Sequence, residues 1–170
     1  YITILADQAE TLTIMCEPTL HDLFRRNLPA SIKIIGLNDL PPPADYHVSM
    51  MSVPHHFGVT FDNLKTEGPY LTPNKVAGQK LRETFTLKQL QVGLIWAGNP
   101  RQSHDYSRSL ATKIISPVLD TPNTQFHNLL IGPRGDSWRD NRLIDPRNKL
   151  NTFDDTAAYM DALDLIISVD

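Results

Sequence analysis

Short apolar runs alternate with segments of helical spacing along most of this chain. The runs predict β-strands at residues 12–16, 32–36, 45–53, 90–97, 124–132 and 165–169. Apolar residues three and four positions apart predict helices at residues 1–10, 20–28 and 110–119, and capping residues followed by good helix formers predict helices at 74–83 and 153–163. Strands that alternate with helices are joined by crossovers, which give parallel strands. The pattern therefore predicts an α/β fold.

An irregular stretch at residues 57–73 divides the chain into two predicted units. It holds two glycines and two prolines and shows no sustained periodicity. The chain begins without Met and stops directly after an apolar run, so we expect a fragment that contains the end of one Rossmann-like parallel sheet and the first half of another. The predicted parts are a first unit at 1–73, a linker helix at 74–89 and a second unit at 90–170.

The strongest functional signal follows the predicted strand at residues 90–97. Gly98, Asn99 and Pro100 form a tight turn with little side-chain bulk at the carboxyl end of that strand. Open α/β sheets bind their ligands at this edge. Residues 101–109 come next, and they are polar and include two arginines. A backbone that a ligand can approach closely is thus followed by side chains that suit phosphate.

A second glycine-bearing turn, at residues 133–136, follows the predicted strand at 124–132. Arg134 in this turn is placed to reach a ligand at the carboxyl edge of the sheet. The whole segment 133–151 is polar and holds four arginines, and we interpret it as a solvated loop.

Capping residues mark the starts of two predicted helices. Asn74 precedes a run of good helix formers. Before the last helix, either Thr152 accepts a hydrogen bond from the Asp155 amide or Asp154 is the cap. In each case a short polar side chain pairs an amide that the first helical turn leaves without a partner.

The charge and the cysteine content of the chain argue against several kinds of binding partner and site. The formal net charge is −3 and no run of Lys and Arg forms a basic patch, so we do not expect a nucleic-acid partner. Cys16 is the only cysteine, which excludes an internal disulfide and a cysteine-based zinc cluster and fits a reducing compartment. No segment approaches the roughly 20 apolar residues that span a bilayer. We therefore expect a cytoplasmic chain without a membrane span.

Two further classes of site find no support in the sequence. His55 and His56 suggest a metal, but adjacent side chains diverge on strands and helices, and no Asp, Glu or Cys lies at ligand spacing. We interpret them as loop histidines and predict no metal site. The chain also lacks the glycine-rich dinucleotide motif, the Walker loop and the nucleophile elbow. The chain thus lacks the central motif of the dinucleotide oxidoreductases, of the P-loop enzymes and of the serine hydrolases.

Several stretches carry a likeness to a known family. They are PYL at residues 69–71, VGLIWAGNP at 92–100, RSL at 108–110, FDDTAA at 153–158 and LDLIISVD at 163–170. Together they resemble the glycosyltransferase-like region at the carboxyl end of many bacterial tetratricopeptide-repeat proteins, which is related to the heptosyltransferases and to the GT-B fold. The second stretch is the most specific.

The resemblance implies an activity. It implies an inverting, metal-independent glycosyltransferase with no cofactor, which moves a sugar from a nucleotide-diphosphate donor to an unknown acceptor, either a glycan or a protein. The first unit would lie on the acceptor side and the second would bind the donor. Helical repeats would belong to the same full-length protein, and we expect the fragment alone to be inactive.

The resemblance also implies roles for individual residues. Gly98 and Asn99 would let the backbone approach the diphosphate, and Arg108 would pair with a phosphate group. Ser109 would open a helix whose positive end faces the same site. Asp170 would either bind sugar hydroxyls or help to orient the phosphate loop. The remaining site residue, with less support, is Arg134.

The catalytic base is not assigned from the sequence. Related enzymes place a carboxylate in an opening loop, which would lie upstream of Tyr1. Asp105 and His104 are weaker candidates within the chain. Plainer interpretations also stay open, in which Arg108 pairs only with Asp105 and Trp96 belongs to the core.

Two other functions remain alternatives to sugar transfer. One is a non-catalytic module that kept the fold and binds proteins beside helical repeats. The other is a sugar-nucleotide epimerase on the same two-domain fold.

Overall fold

A computed structural model describes residues 1–64, 68–86 and 88–169 of the chain. Its described part is a mixed α/β protein in which every paired strand is parallel to its neighbour. The chain divides into two compact units, Tyr1–Thr72 and Pro73–Asp170. The parallel α/β architecture predicted from the alternating pattern is therefore confirmed.

The first unit is built on two short parallel strands. Its elements are α1 (Ile2–Gln8), β1 (Thr13–Cys16), a 3-10 turn (Pro18–Leu20), α2 (His21–Asn27), β2 (Lys33–Gly36), a second 3-10 turn (Met50–Ser52) and α3 (Val53–His56). Helix α2 connects β1 to β2, as the apolar spacing predicted. Ile14, Leu23 and Ile35 are buried, so one residue from each of the three elements contributes to a small core.

The predicted strand at 45–53 is wrong. The segment has no strand partner and instead leads into the 3-10 turn and α3. The alternation of Tyr46, Val48 and Met50 suggested a strand, but all three are exposed. Pro54 is tolerated because it stands in the first turn of a helix, where its missing N–H breaks no hydrogen bond. The two histidines that we assigned to a loop are the last residues of α3.

The second unit holds a four-stranded parallel sheet. Its elements are α4 (Lys75–Arg82), β3 (Leu90–Ile95), α5 (Asp105–Arg108), α6 (Thr112–Ile115), a 3-10 turn (Ser116–Asp120), β4 (Thr124–Asn128), α7 (Pro133–Ser137), β5 (Leu143–Ile144), a 3-10 turn (Arg147–Lys149), α8 (Phe153–Asp161) and β6 (Leu165–Ser168). The strand order is β5-β4-β3-β6. The chain therefore reverses its direction across the sheet between β3 and β6, an order compatible with a Rossmann-like sheet.

The core of this unit surrounds the central strand β3. Val92, Leu94 and Trp96 are almost fully buried, and Phe126 from β4 joins them. Gly93 lets the neighbouring side chains close over the strand, since a Cβ there would come within 2.6 to 2.9 Å of three side-chain methyl groups. Trp96 is thus a core residue, and its ring meets that of Trp138 edge to face at 4.8 Å.

Capping fixes the two helices that pack on each other. The Asn74 side chain accepts a hydrogen bond from the Ala77 amide at the start of α4. At α8, Thr152 and Asp155 form a reciprocal capping box, which decides between the two caps that the sequence allowed. Helix α4 packs closely on α8 at Gly78, where a Cβ would lie 3.1 Å from the Ala158 carbonyl oxygen.

Two predictions for the second unit are corrected. The helix predicted at 110–119 is a single turn, α6, followed by a 3-10 turn that contains Pro117, which has no amide to continue α-helical pairing. The segment 133–151 is not a solvated loop, because it contains α7 and the edge strand β5. Its Arg147 side chain is 9% exposed and pairs with Asp145 and Asp136.

Within the described residues no helix is both long enough and apolar enough to cross a bilayer.

Candidate functional site

The candidate site lies where β3 and β4 end. The loop after β3 runs from Trp96 to α5, and the loop after β4 ends at Gly132, just before α7. The backbone bond from Leu110 N–H to the Trp96 carbonyl, 2.8 Å long, holds the residues beyond α5 against the end of the strand. Residues from α5, α7 and the β3 loop meet at this carboxyl edge, where parallel sheets bind ligands.

The turn after β3 depends on a residue without a side chain. A Cβ at Gly98 would lie 2.6 Å from Arg108 Nη2 and 2.7 Å from Asp105 Oδ1. The next residue, Asn99, is exposed, and its side-chain oxygen accepts a hydrogen bond from the Arg101 amide. Gly98 therefore allows the charged side chains of α5 to pack directly on the backbone, while Asn99 shapes the turn.

The hydroxyl of Ser109 connects three parts of the site. It donates a hydrogen bond to Asp105 Oδ1 at 2.9 Å and accepts one from the Gly98 amide at 3.0 Å. Its oxygen also accepts a hydrogen bond from Arg134 Nη1 at 2.7 Å. A hydroxyl group offers one donor and two acceptor positions, so all three are in use. Ser109 joins the β3 loop, α5 and α7 and has no hydrogen-bonding capacity left for a ligand.

Asp105 is the buried anion of the site. It is 3% exposed and lies between two guanidinium groups. Arg134 Nη1 is 2.5 Å from its Oδ2 and Arg108 Nε is 3.6 Å from its Oδ1. Burial alone would raise the pKa of Asp105, but the hydrogen bond from Ser109 and the charges of Arg134 and Arg108 outweigh burial and hold that pKa below its ordinary value. Asp105 is therefore ionised at neutral pH.

The cluster is charged and incompletely paired. Its two guanidinium groups and one carboxylate leave one positive charge in excess. Among the described residues, the buried side-chain atoms without a hydrogen bond are Asp105 Oδ2, Arg108 Nε and His21 Nε2. Two of these three atoms belong to this cluster. Asp105 Oδ2 nevertheless has an ion-pair partner, because Arg134 Nη1 lies 2.5 Å from it.

Both arginines remain accessible. The side chains of Arg108 and Arg134 are 31% and 37% exposed, although each lies against the buried Asp105. Arg134 is placed by the start of α7, where Gly132 adopts a φ of 99° that favours glycine. Two part-exposed guanidinium groups with a net positive charge can bind an anion such as phosphate.

The structure brings most of the predicted site residues together, but not all of them. Gly98, Arg108, Ser109 and the two less supported candidates Asp105 and Arg134 form the cluster. Ser109 follows α5 and does not open a helix, because α6 begins at Thr112. Two other predicted residues lie apart from the cluster: Asn99 is exposed in the turn, and His104 is exposed beside the ring of Tyr106. The prediction for Asp170 lies outside the described residues.

A second polar cluster, which the sequence did not reveal, lies in the sheet. His127 on β4 is fully buried, and its ring bonds to Gln91 Oε1 at 2.9 Å through Nε2 and to Tyr159 Oη at 2.8 Å through Nδ1. The Gln91 amide nitrogen donates to the carbonyls of Thr86 and Gln89, so its oxygen faces the imidazole. Nε2 must then carry the proton, and Nδ1 accepts from the Tyr159 hydroxyl.

The second cluster is neutral. Burial lowers the pKa of His127 to about 4 and raises the pKa of Tyr159 to about 12. The Phe85 ring lies 4.9 Å from the imidazole ring. The signals available in the sequence were Gln91 inside the otherwise apolar strand β3 and His127 inside β4, since such residues need partners when both faces of a parallel sheet are covered.

A large groove of the second unit does not coincide with the charged cluster. It is an open groove of about 740 Å³ beside α4 and the end of α8. Two ion pairs lie across it, with Lys75 Nζ 2.5 Å from Asp161 Oδ1 and Arg82 Nη2 2.7 Å from Asp164 Oδ1. The cations and carboxylates that line the groove are equal in number, so it lacks the excess positive charge of the Asp105 cluster that would attract an anion.

The described residues contain no group of three or more His, Cys, Asp or Glu side chains placed to hold a metal ion. Comparison with known proteins identifies no relative, because no family model, no curated protein and no solved structure matches the chain.

Proposed function

We propose that the second unit is the donor-binding part of a GT-B glycosyltransferase, and that Arg108 and Arg134 bind the diphosphate of a nucleotide sugar. The observation that carries this proposal is the pair of part-exposed guanidinium groups on one buried carboxylate, at the carboxyl edge of β3 and β4. Transfer would be inverting and metal-independent, with a glycan or a protein as acceptor.

The chemistry of sugar transfer requires this kind of site. When the glycosidic bond forms, the nucleoside diphosphate leaves and gains negative charge. Hydrogen-bond donors already in place stabilise that charge without reorganisation. Guanidinium groups are suited to the task because they remain charged at all working pH values and can donate two parallel hydrogen bonds to phosphate.

The position of the cluster gives further support. The strand order reverses between β3 and β6, and Ile95 of β3 is in register with Ser168 of β6. In open α/β sheets, ligands lie in the crevice outside the carboxyl ends of strands at such a reversal. The loop that carries Gly98 leaves the sheet at this end of β3.

Asp105 does not serve as the catalytic base in this proposal. A general base has to accept a proton near neutral pH, and two guanidinium groups hold the Asp105 carboxylate in its ionised, weakly basic form. Burial also separates it from an acceptor hydroxyl. The described residues therefore supply donor binding, and we assign no base among them.

Isothermal titration of the chain with nucleoside diphosphates tests the proposal. The panel comprises UDP, GDP, ADP, CDP and dTDP at low ionic strength. We expect at least one of them to bind, and Arg108→Met to weaken that binding about tenfold or more, equivalent to about 1.4 kcal/mol.

The surface ion pair of the first unit provides the control. Arg25 is 60% exposed and lies 3.1 Å from Asp22, so Arg25→Met changes the net charge equally without touching the cluster. We expect unaltered binding in this control. A chain that binds none of the five diphosphates, or that loses the same affinity in both variants, would contradict the proposal.

A further inference from the structure

The two arginines of the site are held differently. Arg134 Nη1 contacts both Asp105 Oδ2, at 2.5 Å, and Ser109 Oγ, at 2.7 Å. Arg108 Nε lies 3.6 Å from Asp105 Oδ1, which is too far for a hydrogen bond, and it makes none. Arg134 is therefore fixed by two contacts, while Arg108 interacts with the carboxylate through charge, without a hydrogen bond.

Asp105 is the group that both arginines share. Its own position is set by the hydrogen bond from Ser109 at 2.9 Å, and the Gly98 amide bonds to the same hydroxyl at 3.0 Å. The carboxylate thus connects the turn after β3 with the arginines from α5 and α7. Without it, two like charges would lie side by side and repel each other.

We infer that Asp105 is a positioning residue, which holds Arg134 through a close ion pair and Arg108 through charge, so that both arginines bind one phosphate or diphosphate group. This inference rests on the proposed function and adds to it the residue that organises the site. Asp105 itself makes no contact with the anion. Arg108, whose side chain is partly exposed and makes no hydrogen bond to Asp105, is the arginine that would direct its hydrogen bonds to the anion.

Positioning and simple charge predict opposite effects of neutralising this carboxylate. Asp105 carries a negative charge next to the place where an anion would bind. If charge alone decided affinity, Asp105→Asn would raise the affinity for an anion. If Asp105 acts by holding the arginines, the same substitution lowers that affinity although the site becomes more positive. The direction of the change therefore separates the two explanations.

Titration with inorganic pyrophosphate measures that direction. We expect Asp105→Asn to weaken pyrophosphate binding about tenfold or more relative to the unaltered chain at pH 7.5 and low ionic strength. Asp22→Asn is the matched control, because Asp22 is also paired with an arginine but lies on the surface of the first unit, and we expect it to leave affinity unchanged. Equal or tighter binding by Asp105→Asn overturns the inference.

A second variant avoids any change of charge. Ser109→Ala removes the hydroxyl that orients Asp105 and Arg134, and we expect it to weaken pyrophosphate binding severalfold while circular dichroism shows a folded protein. This variant decides the matter if Asp105→Asn does not fold. Unchanged affinity in a folded Ser109→Ala chain contradicts the positioning role.

A double-mutant cycle of Asp105 and Arg134 separates a positioning role of Asp105 from a general structural effect. If Asp105 acts through Arg134, Asp105→Asn should weaken binding much less in an Arg134→Met background than in the unaltered chain. Equal losses in both backgrounds would overturn the inference. An unaltered chain that binds neither pyrophosphate nor any nucleoside diphosphate overturns the proposed function as well, whereas failure of the variants alone leaves donor binding standing.

Discussion

The two polar clusters of the second unit differ in how completely their groups are paired. The first, around Asp105, has a net positive charge and two buried atoms without hydrogen bonds. The second, around His127, is neutral, and each ring nitrogen of the imidazole has a partner within 2.9 Å. Both lie in or beside the same parallel sheet. The degree of pairing, rather than polarity or burial, separates a candidate binding site from a structural network.

The physical basis of this difference is the cost of burying polar groups. A buried network with every donor and acceptor paired stabilises one arrangement of the core and gains nothing from a ligand. The Asp105 cluster instead keeps one positive charge in excess and two partly exposed guanidinium groups, which an arriving anion can pair. We therefore expect substitutions in the His127 network to change stability alone, and substitutions in the Asp105 cluster to change anion binding.

Replacing the buried imidazole gives the largest expected effect. His127→Leu leaves Gln91 Oε1 and the Tyr159 hydroxyl buried without a partner, and we expect a loss of about 2–4 kcal/mol in the free energy of unfolding. Urea titration followed by circular dichroism measures this loss. Pyrophosphate affinity of the folded variant should equal that of the unaltered chain, and a weakened affinity would break the comparison between the two clusters.

Adding one methyl group to the charged cluster should affect both stability and binding. In Gly98→Ala the new Cβ would lie 2.6 Å from Arg108 Nη2 and 2.7 Å from Asp105 Oδ1. We expect a loss of about 1–3 kcal/mol in stability from overpacking, together with severalfold weaker pyrophosphate binding because Arg108 has to move. Gly36→Ala, whose nearest contact would be Asp39 Oδ2 at 3.3 Å, is the control. Unchanged pyrophosphate binding in Gly98→Ala would show that the anion site does not depend on Gly98.

Most strands were predicted from the sequence, because a buried strand is recognised by its short run of apolar residues. β3, β4 and β6 were found, and so were β1, β2 and the helix that connects them. The strand β5 was missed because it has two residues and is flanked by arginines, which suggested a solvated loop. A strand this short owes its place to its neighbour β4, and no local pattern encodes that neighbour.

The site was only partly predictable for a similar reason. Turn chemistry at the carboxyl ends of strands pointed to Gly98, Arg108 and Arg134. The role of Ser109 was not predictable, because its three hydrogen bonds come from groups 4, 11 and 25 residues away. The His127 network joins partners 36 and 32 residues apart, and it exists only once the sheet and α8 are assembled.

The pH dependence of stability distinguishes the clusters without any substitution at the charged site. The pKa of His127 is about 4 in the folded chain and about 6.5 in an unfolded one, so the unfolded chain binds a proton in this range that the folded chain does not. Stability is fully present above about pH 6.5 and falls as the pH drops toward 4. We expect a loss of roughly 1–2 kcal/mol between pH 7 and pH 5.

Urea titrations of the unaltered chain and His127→Leu over this pH range provide the comparison. The variant should lack the histidine contribution and show a flatter profile. The carboxylate of Asp105, whose pKa is lowered in the folded chain, adds its own loss only as the pH falls below about 4, where the unfolded chain binds a proton that the folded chain does not. Identical profiles for the two proteins would mean that another group is responsible for the loss.

The smallest effect comes from removing a single hydroxyl. Tyr159→Phe keeps the ring, which lies 5.6 Å from the imidazole, and takes away only the hydrogen bond to His127 Nδ1. We expect a loss of about 1 kcal/mol, with Tyr106→Phe on the surface as a control that changes little. A stability loss as large as that of His127→Leu would show that the network acts as one unit, and no loss at all would show that packing of the rings, rather than hydrogen bonding, holds it together.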